Sequence, residues 1–436
     1  MSLADFSTSL FLLVVLVSDH DPIYMRIVSL LLIVSLPLSA EKFPWPHWLG
    51  PDHDGALDDF FLPVPAKGKD YAMEWSVKAG SGWASPVCDN GLLVLHERVG
   101  EEEFVRGLDP DSGREKWRFS YRSGYRDGFG MEDGPRSTPA ISADTVVSHG
   151  PQGLVHALST KDGALKWKVD LGNKFSSPKG FFGRCSSPLI VDGKVVFDVG
   201  GPKAGMVALD LKTGETVWSS TSYGNDYSSA VPFGDPSGRL VLSFMREGFL
   251  ALNAKTGKEV FFERFRSPIN ASVNAASPMV AGNRVLLSSC YEVGAGIWEY
   301  KRSAAGKGTF RTLWKRKDIL DCHYSTPVHD GEFVYGFHGR QERGPVLRCI
   351  SLKAGKVVWE APPMGAGNLI RAGKKLVILT ERGELVLAEA SPKSFRSLHR
   401  QQILGTDARA HFALAEGRLF ARDLRRLVCL NLEKFE

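Results

Sequence analysis

The chain has 436 residues, of which 43% are hydrophobic, and a formal net charge of +5. This length accommodates several small domains or one large repeat architecture, and the hydrophobic fraction is ordinary for a soluble globular protein. The 54 Lys and Arg residues are dispersed and are not interleaved with aromatic residues, which argues against a nucleic-acid partner.

The N-terminus contains the only segments apolar enough to involve a membrane. Residues 25–40, MRIVSLLLIVSLPLSA, combine a positive start, an apolar middle and a small final residue. This pattern is typical of a secretory signal peptide and is too short for a spanning helix. A second apolar run at residues 10–17 follows no basic residue, so we interpret residues 1–24 as an upstream extension before a true start at Met25. The alternative, one interrupted anchor, is disfavoured by the charged and Pro residues between the runs.

We therefore predict a periplasmic or secreted protein with a signal peptide that ends near Ala40 and no transmembrane span in the mature chain. Residues 41–70 are a leader that precedes a single domain at residues 71–436. The leader contains the acidic stretch DHDGALDD at residues 52–59. This stretch lacks the ligand spacing and terminal Glu of an EF-hand, so we interpret it as a turn.

After the leader one spacing recurs, in which a small residue and an aromatic residue stand ten positions apart around a Gly. It is found at residues 107–117, 157–167, 208–218, 251–261 and 349–359. A period of a few dozen residues indicates a repeat architecture. The aromatic anchors, completed by less regular copies, are Trp75, Trp117, Trp167, Trp218, Phe261, Trp314 and Trp359.

Residues 187–220 are the cleanest unit of the repeat. They contain four short runs rich in Val, Leu and Phe, each bounded by turn residues, which predict four antiparallel strands. Asp192–Gly193 is a strong hairpin signal. In the last hairpin, Asp210 and Thr213 are available to bond turn amides around Gly214. A sheet of four strands must stack on neighbouring sheets to bury both faces.

The ten-residue step follows from that stacking. The small residue lies on the third strand and the aromatic residue on the fourth, across the turn. The indole can then lie over the next sheet, provided that nearby positions are small and a backbone acceptor meets its N–H. We therefore assign the tryptophans to packing and not to cofactor stacking. Cys349 and Cys429 occupy the small-residue position and are interpreted as buried hydrophobes.

The repeat count predicts an all-β, eight-bladed β-propeller of four-stranded antiparallel blades. Residues 71–77 are a fourth strand without the three before it, and the three runs at the C-terminus lack a fourth. Pairing of the N-terminal strand with the last three completes an eighth blade and removes open sheet edges. Blade 5 is irregular before Trp314. Five blades open with a Ser/Thr–Pro pair, namely Ser85–Pro86, Thr138–Pro139, Ser187–Pro188, Ser277–Pro278 and Thr326–Pro327.

With these motifs the chain resembles the PQQ-like β-propeller repeat proteins of the quinoprotein alcohol dehydrogenase-like superfamily. The resemblance rests on the tryptophan-docking motif [AGC]-[LI]-x-x-x-x-G-x-x-x-[WF], and the leader sequence WPHWLGPDHDG is similar to the opening of secreted bacterial members. The motif is specific for the fold and weak for function, since it occurs in enzymes and in scaffolds.

The resemblance implies two branches. One comprises pyrroloquinoline quinone (PQQ) dehydrogenases with Ca²⁺ at the axis, including polyvinyl-alcohol dehydrogenase-like enzymes; many have a vicinal Cys pair and some a haem. Neither sequence feature occurs here, and the pairing of Cys88, Cys185, Cys290 and Cys322 stays open. The other branch contains non-catalytic, protein-binding propellers such as the lipoprotein BamB, whose cleavage-site Cys is missing from PLSAEKF.

The residues just before each inner strand are expected to rim a central funnel. The longest connections are residues 118–137 and 168–186, and long loops on a rigid scaffold commonly carry function. The candidate ligand-binding residues are Arg136, Arg184, Asn274, His323, Arg340, Glu342 and Arg409. Further rim candidates are Tyr324, His338, Gln341, Asn368 and His411.

Two interpretations of the funnel stay open. Several Arg residues could bind an anionic ligand through carboxylate or phosphate contacts, or they could pair with Glu132, Asp133, Glu342 and backbone carbonyls. His323 and His338 could be bases or ligands, although a loop His bonded to backbone is the commoner case.

We predict a binding or assembly scaffold without assignable catalytic residues, cofactor or metal, whose axis holds a protein partner or a small anionic ligand. The alternative is a PQQ- and calcium-dependent quinoprotein alcohol dehydrogenase. The oxygens available for calcium under that alternative are those of Glu132, Asp133, Asp226 and Asn274.

Overall fold

The computed structural model describes residues 43–436 except 235, 237 and 303–307. These residues form eight sheets of four antiparallel strands each, and one of the sheets has a parallel fifth strand added. The first strands of several successive sheets contact one another, which places them innermost around a common axis. The eight-bladed β-propeller is therefore confirmed. The predicted extension and signal peptide at residues 1–40 lie outside the described residues.

In each of blades 1 to 4 the first of the four strands is the innermost. Blade by blade, the strands are Val87–Asp89, Leu92–Val99, Glu102–Leu108 and Glu115–Arg122; Ala140–Ser142, Thr145–His149, Leu154–Ser159 and Leu165–Asp170; Leu189–Val191, Lys194–Gly201, Ala204–Asp210 and Thr216–Ser220; Val231–Phe233, Leu240–Phe244, Gly248–Asn253 and Glu259–Arg264.

Blades 5 to 8 follow the same plan, and the last strand of blade 8 comes from the N-terminal side of the chain. These strands are Met279–Ala281, Arg284–Ser289, Gly294–Arg302 and Gly308–Arg316; Val328–His329, Phe333–His338, Val346–Ser351 and Lys356–Glu360; Gly367–Ala372, Lys375–Thr380, Glu384–Glu389 and Ser397–Gln402; Ala413–Ala415, Arg418–Arg422, Arg426–Phe435 and Tyr71–Lys78. The helical segments are a short α-helix, Leu171–Lys174, and a 3₁₀ turn, Gln341–Arg343. No helix among the described residues is long and apolar enough to cross a membrane.

Blade 3 shows how the turn residues shape the repeat. Asp192 and Gly193 adopt φ values of 48° and 72°, as a tight hairpin turn requires. In the last hairpin the Asp210 carboxylate accepts from the backbone N–H groups of Lys212 and Thr213, at 2.9 Å each. The predicted strands and turn contacts of this unit are confirmed.

The tryptophans join neighbouring blades. Trp117 stands opposite Gly107 in its own blade, and its Nε1 donates to the carbonyl of Thr160 in the next blade at 2.9 Å. A Cβ on Gly107 would lie 2.2 Å from the indole, and one on Gly163 of the next blade 2.6 Å. The motif Gly thus forms the turn and also receives the preceding indole. The same donation to a carbonyl of the next blade is made by Trp75, Trp167, Trp218, Trp314 and Trp359.

Blade 5 replaces this arrangement with an aromatic cluster. Phe261 of blade 4 has no N–H to donate, and its ring packs 5.5 Å from that of Phe310 in blade 5. Trp298, fully buried, packs beside Phe249 and Phe265 and donates to Glu263 at 2.8 Å. The irregularity predicted from the sequence therefore coincides with a different inter-blade contact.

The Ser/Thr residues at the strand openings form a belt of hydrogen bonds that runs from blade 1 to blade 6. Each backbone N–H donates to the hydroxyl of the corresponding residue in the next blade, at 2.9 to 3.2 Å. Members of this hydroxyl belt are Ser85, Thr138, Ser187, Ser229, Ser277 and Thr326. The belt fixes the spacing of the inner strands, a role that the sequence pattern did not reveal.

The leader crosses one end of the axis. Trp45 pairs with Cys88 of blade 1, and Trp48 donates to Ser277 of blade 5 at 2.9 Å. Ala56–Leu57 then adds a parallel fifth strand to blade 7. Blades 1 and 5 lie on opposite sides of a ring of eight, so this segment spans the central channel.

All six cysteines lie in the described part of the chain and are free thiols. Cys349 and Cys429 are fully buried opposite Trp359 and Trp75, as predicted for the small-residue position.

Candidate functional site

A cavity of about 540 Å³ lies at the axis, between the connections that lead into the inner strands. Trp48 of the leader contributes to its lining. Because the leader spans the channel, the cavity is a funnel that is blocked at one end, and not a pore through the ring. Of the residues predicted from the sequence, the structure brings together Arg136, His323, Tyr324, Arg340, Gln341, Glu342, Asn368, Arg409 and His411.

Arg136 is held by the long connection between blades 1 and 2. Its guanidinium pairs with buried Asp127 at 2.7 Å and lies 4.8 Å from the ring of Trp83. Asp127 in turn accepts from the backbone N–H of Phe129 at 2.8 Å, which orders the loop. The sequence analysis considered Glu132, Asp133, Glu342 and backbone carbonyls as partners of the arginines. Arg136 pairs with none of these carboxylates but with Asp127, and it also donates to the Phe182 carbonyl at 3.2 Å.

Arg409 faces the same indole, since its guanidinium also lies 4.8 Å from the Trp83 ring. Its Nε is 3.4 Å from a Glu381 carboxylate oxygen. That carboxylate accepts from the Tyr324 hydroxyl at 2.6 Å and from the Gln341 amide at 2.9 Å. Burial, together with the neighbouring Glu381, raises the pKa of Tyr324 well above its usual value, so the phenol is a donor at neutral pH.

His323 lies beside these groups, with its ring centroid 6.1 Å from that of Tyr324. Its Nε2 is 3.1 Å from the Tyr291 hydroxyl, and its Nδ1 accepts from the backbone N–H of Gln341. Arg340 lies 4.8 Å from the Tyr291 ring and 3.4 Å from Glu342. Burial lowers the pKa of His323. The positive charges of Arg340 and Arg409 lower it as well, whereas the negative charge of Glu342 raises it. Both ring nitrogens are engaged in hydrogen bonds, which favours a positioning role over proton transfer.

Four large apolar side chains stand around the cavity with much of their surface exposed; we call them the apolar rim. Phe129, Met131, Phe181 and Ile269 are 63%, 45%, 40% and 44% exposed, and all contribute to the cavity lining. The sequence analysis identified two of their loops but not these residues. The signal was present in GFGM at residues 128–131 and GFFG at residues 180–183, where aromatic residues interrupt polar, Gly-rich loops.

Three predicted candidates lie outside the cavity lining. Arg184 is 3% exposed and donates to the Val199 carbonyl at 2.8 Å. Asn274 is 2% exposed and donates to the Met245 carbonyl at 2.9 Å. His338 ends the second strand of blade 6, away from the axis. The rule that residues before an inner strand face the funnel fails for Arg184 and Asn274, because both side chains turn into the blade and bind carbonyls there.

The oxygens considered for calcium do not converge on the cavity. Asp226 is buried and pairs with Arg246 at 3.2 Å, and Asn274 is engaged as described. Glu132 and Asp133 accept from the backbone N–H groups of Gly134 and Asp127 within their own loop. Among the residues that the structure describes, no three His, Cys, Asp or Glu side chains are placed to hold a metal ion. The donor set does not fit a quinone–calcium centre, and we derive no step through one.

Comparison with known proteins places these features in a family. The family described as outer membrane protein assembly factor BamB matches residues 101–361, more than half of the chain. BamB of Yersinia pestis is 24% identical over 193 residues, which cover 43% of this chain and 45% of that protein. The chain thus matches less than half the length of this relative.

Two solved structures show the same fold. The crystal structure of BamB from Moraxella catarrhalis has a TM-score of 0.58 at 16% identity, covering 83% of this chain and 97% of that one. The quinohemoprotein alcohol dehydrogenase of Comamonas testosteroni has a TM-score of 0.61 at 14% identity, covering 89% of this chain and 80% of that one. At such identities the likeness concerns architecture only.

Proposed function

The chain belongs to the family of the outer membrane protein assembly factor BamB, and we propose that it is a binding scaffold that holds a protein partner at its axial funnel. The apolar rim is the single observation that carries this proposal. Contiguous exposed apolar groups on a soluble surface commonly mark a site of interaction, since they gain free energy when a partner covers them. Four such groups on three separate loops surround one cavity.

The polar groups of the cavity support binding over chemistry. Asp127 and Glu381 anchor arginines, and His323 is hydrogen-bonded to Tyr291 and to the backbone. A general base needs a nitrogen or oxygen lone pair that is free to take the proton. The cavity groups are instead engaged in holding the arginines and aromatic rings in place.

We further propose that the protein works in the periplasm or outside the cell. Support comes from the signal-peptide pattern at residues 25–40 and from the outer membrane named in the family's description. N-terminal sequencing of the mature protein tests this proposal, and a first residue well before Glu41 would contradict cleavage.

The scaffold proposal is tested in the source bacterium by deletion and complementation. The double variant Phe129→Ser/Ile269→Ser removes much of the apolar rim, whereas Val217→Ser/Val357→Ser removes comparable exposed groups from the outer strands of blades 3 and 6. We expect the outer-strand variant to restore the outer membrane protein content of the deletion strain and the rim variant to fail. Equal restoration by both variants would refute the funnel as the docking face.

The quinoprotein alternative has its own test. Purified protein is mixed with PQQ and Ca²⁺, and its absorption spectrum, melting temperature and dye-linked alcohol oxidation are measured. We expect no change in any of the three measurements, because the oxygens considered as calcium ligands do not converge on the cavity. Alcohol oxidation by the reconstituted protein would overturn the scaffold proposal.

A further inference from the structure

Two arginines of the cavity have donor groups to spare. The Nε atoms of Arg340 and Arg409 are buried and face Glu342 and Glu381 at 3.4 Å, so the donors open to a ligand are the terminal Nη groups. Each guanidinium also lies against an aromatic face at 4.8 Å, that of Tyr291 for Arg340 and that of Trp83 for Arg409. A guanidinium that stacks on a ring keeps its edge free, and that edge matches a carboxylate.

The guanidinium groups of Arg340 and Arg409 lie beside the same part of the cavity. Both line the cavity, and Gln341, the residue after Arg340, donates to the Glu381 carboxylate at 2.9 Å while the Arg409 Nε lies 3.4 Å from the same carboxylate, so the two arginines flank the same part of the cavity wall. Their nearest carboxylates, Glu342 and Glu381, stand at 3.4 Å without closing a hydrogen bond to the buried Nε atoms. A carboxylate brought by a ligand would find donors from both arginines.

The apolar rim decides what kind of molecule brings that carboxylate. Phe129 and Ile269 are 63% and 44% exposed and extend the contact surface beyond the cavity. A small anion in the cavity would leave them in water. A segment of polypeptide can place an acidic side chain inside and apolar side chains on the rim. The leader spans the channel, so the segment docks at the mouth and does not thread through the ring.

We propose that the funnel binds an acidic–apolar segment of a partner protein, in which an Asp or Glu side chain reaches Arg340 and Arg409 while flanking large apolar residues cover the rim. This inference rests on the proposed scaffold function and specifies the partner's chemistry at the same site. The ion pair forms where water is largely excluded, which favours a carboxylate over its neutral isostere.

The test uses fluorescein-labelled octapeptides, capped at both ends, whose central Asp is flanked by Phe and Leu. Fluorescence polarisation with the full chain compares this peptide with its Asn isostere and with an Ala-flanked version. We expect each change to weaken binding by roughly tenfold or more, about 1.4 kcal/mol. The variant Arg409→Gln should remove the preference for Asp over Asn. Arg400→Gln, on the outer strand of blade 7, should keep it.

Three results would overturn the inference: equal binding of the Asp and Asn peptides, no binding of either up to about 1 mM, or displacement of the peptide by benzoate at equal concentration. The last result would identify a small-carboxylate site instead. None of these results tests the scaffold proposal, which is tested by complementation with the rim variants in the cell. Melting temperatures of the Arg variants separate lost recognition from lost folding.

Discussion

The motif glycine carries two functions at the residue scale. Gly163 adopts a φ of 71° in its hairpin, and its missing side chain leaves room for Trp117 of the preceding blade. The same close approach occurs at Gly113, Gly214 and Gly257 beneath Trp75, Trp167 and Trp218. The indole is therefore received by a turn whose conformation and lack of a Cβ are both required.

Gly163→Ala should destabilise the protein more than Gly91→Ala. Both positions have a φ of 71°, but a Cβ at Gly91 meets nothing within 4 Å, whereas one at Gly163 lies 2.6 Å from the indole. The left-handed backbone costs both variants about 1–2 kcal/mol. Overpacking should add about 1–3 kcal/mol at Gly163 alone. Urea denaturation of the two variants measures the difference, and equal losses would refute the receiving role.

Asp226 should make stability depend on pH. Burial, only partly offset by Arg246 at 3.2 Å, raises the pKa of this carboxyl from 3.8 to about 7. The folded chain therefore binds this proton more tightly than the unfolded chain, and stability falls as pH rises through that window. The free energy of unfolding of Asp226→Asn, relative to wild type, should increase between pH 5 and pH 8 by roughly 1 kcal/mol or more. A pH-independent difference would contradict the raised pKa.

At the scale of elements, the hydroxyl belt and the leader set the geometry of the funnel. The belt ties the inner strands of blades 1 to 6 together, while the leader contacts blades 1, 5 and 7. Trp48 belongs to both systems, because its indole donates to Ser277 of the belt. The cavity is thus held in shape by contacts that lie beneath its polar groups.

Thr138→Val tests the belt. The substitution keeps the shape of a side chain that is 1% exposed but leaves the backbone N–H of Ser85 without its acceptor. A buried unsatisfied donor costs about 1–3 kcal/mol. Thr216→Val, at an exposed position on the outer strand of blade 3, should change stability by less than about 0.5 kcal/mol. Thermal unfolding compares the two variants, and similar melting temperatures would deny the belt its stabilising role.

The sequence predicted the strands of the regular blades because hairpin turns and the Trp spacing are local patterns. It did not predict the hydroxyl belt, since Ser85 and Thr138 lie 53 residues apart and bond only once blades 1 and 2 have packed together. Arg136 and Arg409 could be placed at the funnel because each lies shortly before an inner strand, and Arg340 because it lies in the connection between the second and third strands of blade 6. Arg184 could not be excluded, because local sequence does not say whether a side chain faces the axis or the blade.

At the scale of the whole molecule, ring closure joins distant parts of the chain. Tyr71–Lys78 lies antiparallel to Arg426–Phe435, with Trp75 opposite Cys429. Trp75 also donates to the Pro110 carbonyl of blade 1 at 3.0 Å. The strand Tyr71–Lys78 therefore closes the ring, because it pairs within blade 8 and also contacts blade 1.

A chain that begins at residue 79 should fail to stay monomeric. It lacks the outer strand of blade 8 and exposes the backbone edge of Arg426–Phe435, and such an edge is a template for pairing with other chains. A chain that begins at residue 71 keeps the strand and, like the shorter chain, lacks the leader, so it is the matched control. Light scattering after size exclusion should find oligomers of the shorter chain only. A well-folded monomer of the shorter chain would refute this account of closure.

The claim that the funnel mouth is the docking face is tested most directly by photocrosslinking in cells that produce the protein. p-Benzoylphenylalanine replaces Phe129 on the apolar rim or, as control, Val217 on the outer strand of blade 3; these side chains are 63% and 47% exposed. We predict that the rim position crosslinks to one partner protein, identified by mass spectrometry, and that the control position does not. Crosslinking of that protein from Val217 but not from Phe129 would contradict the account.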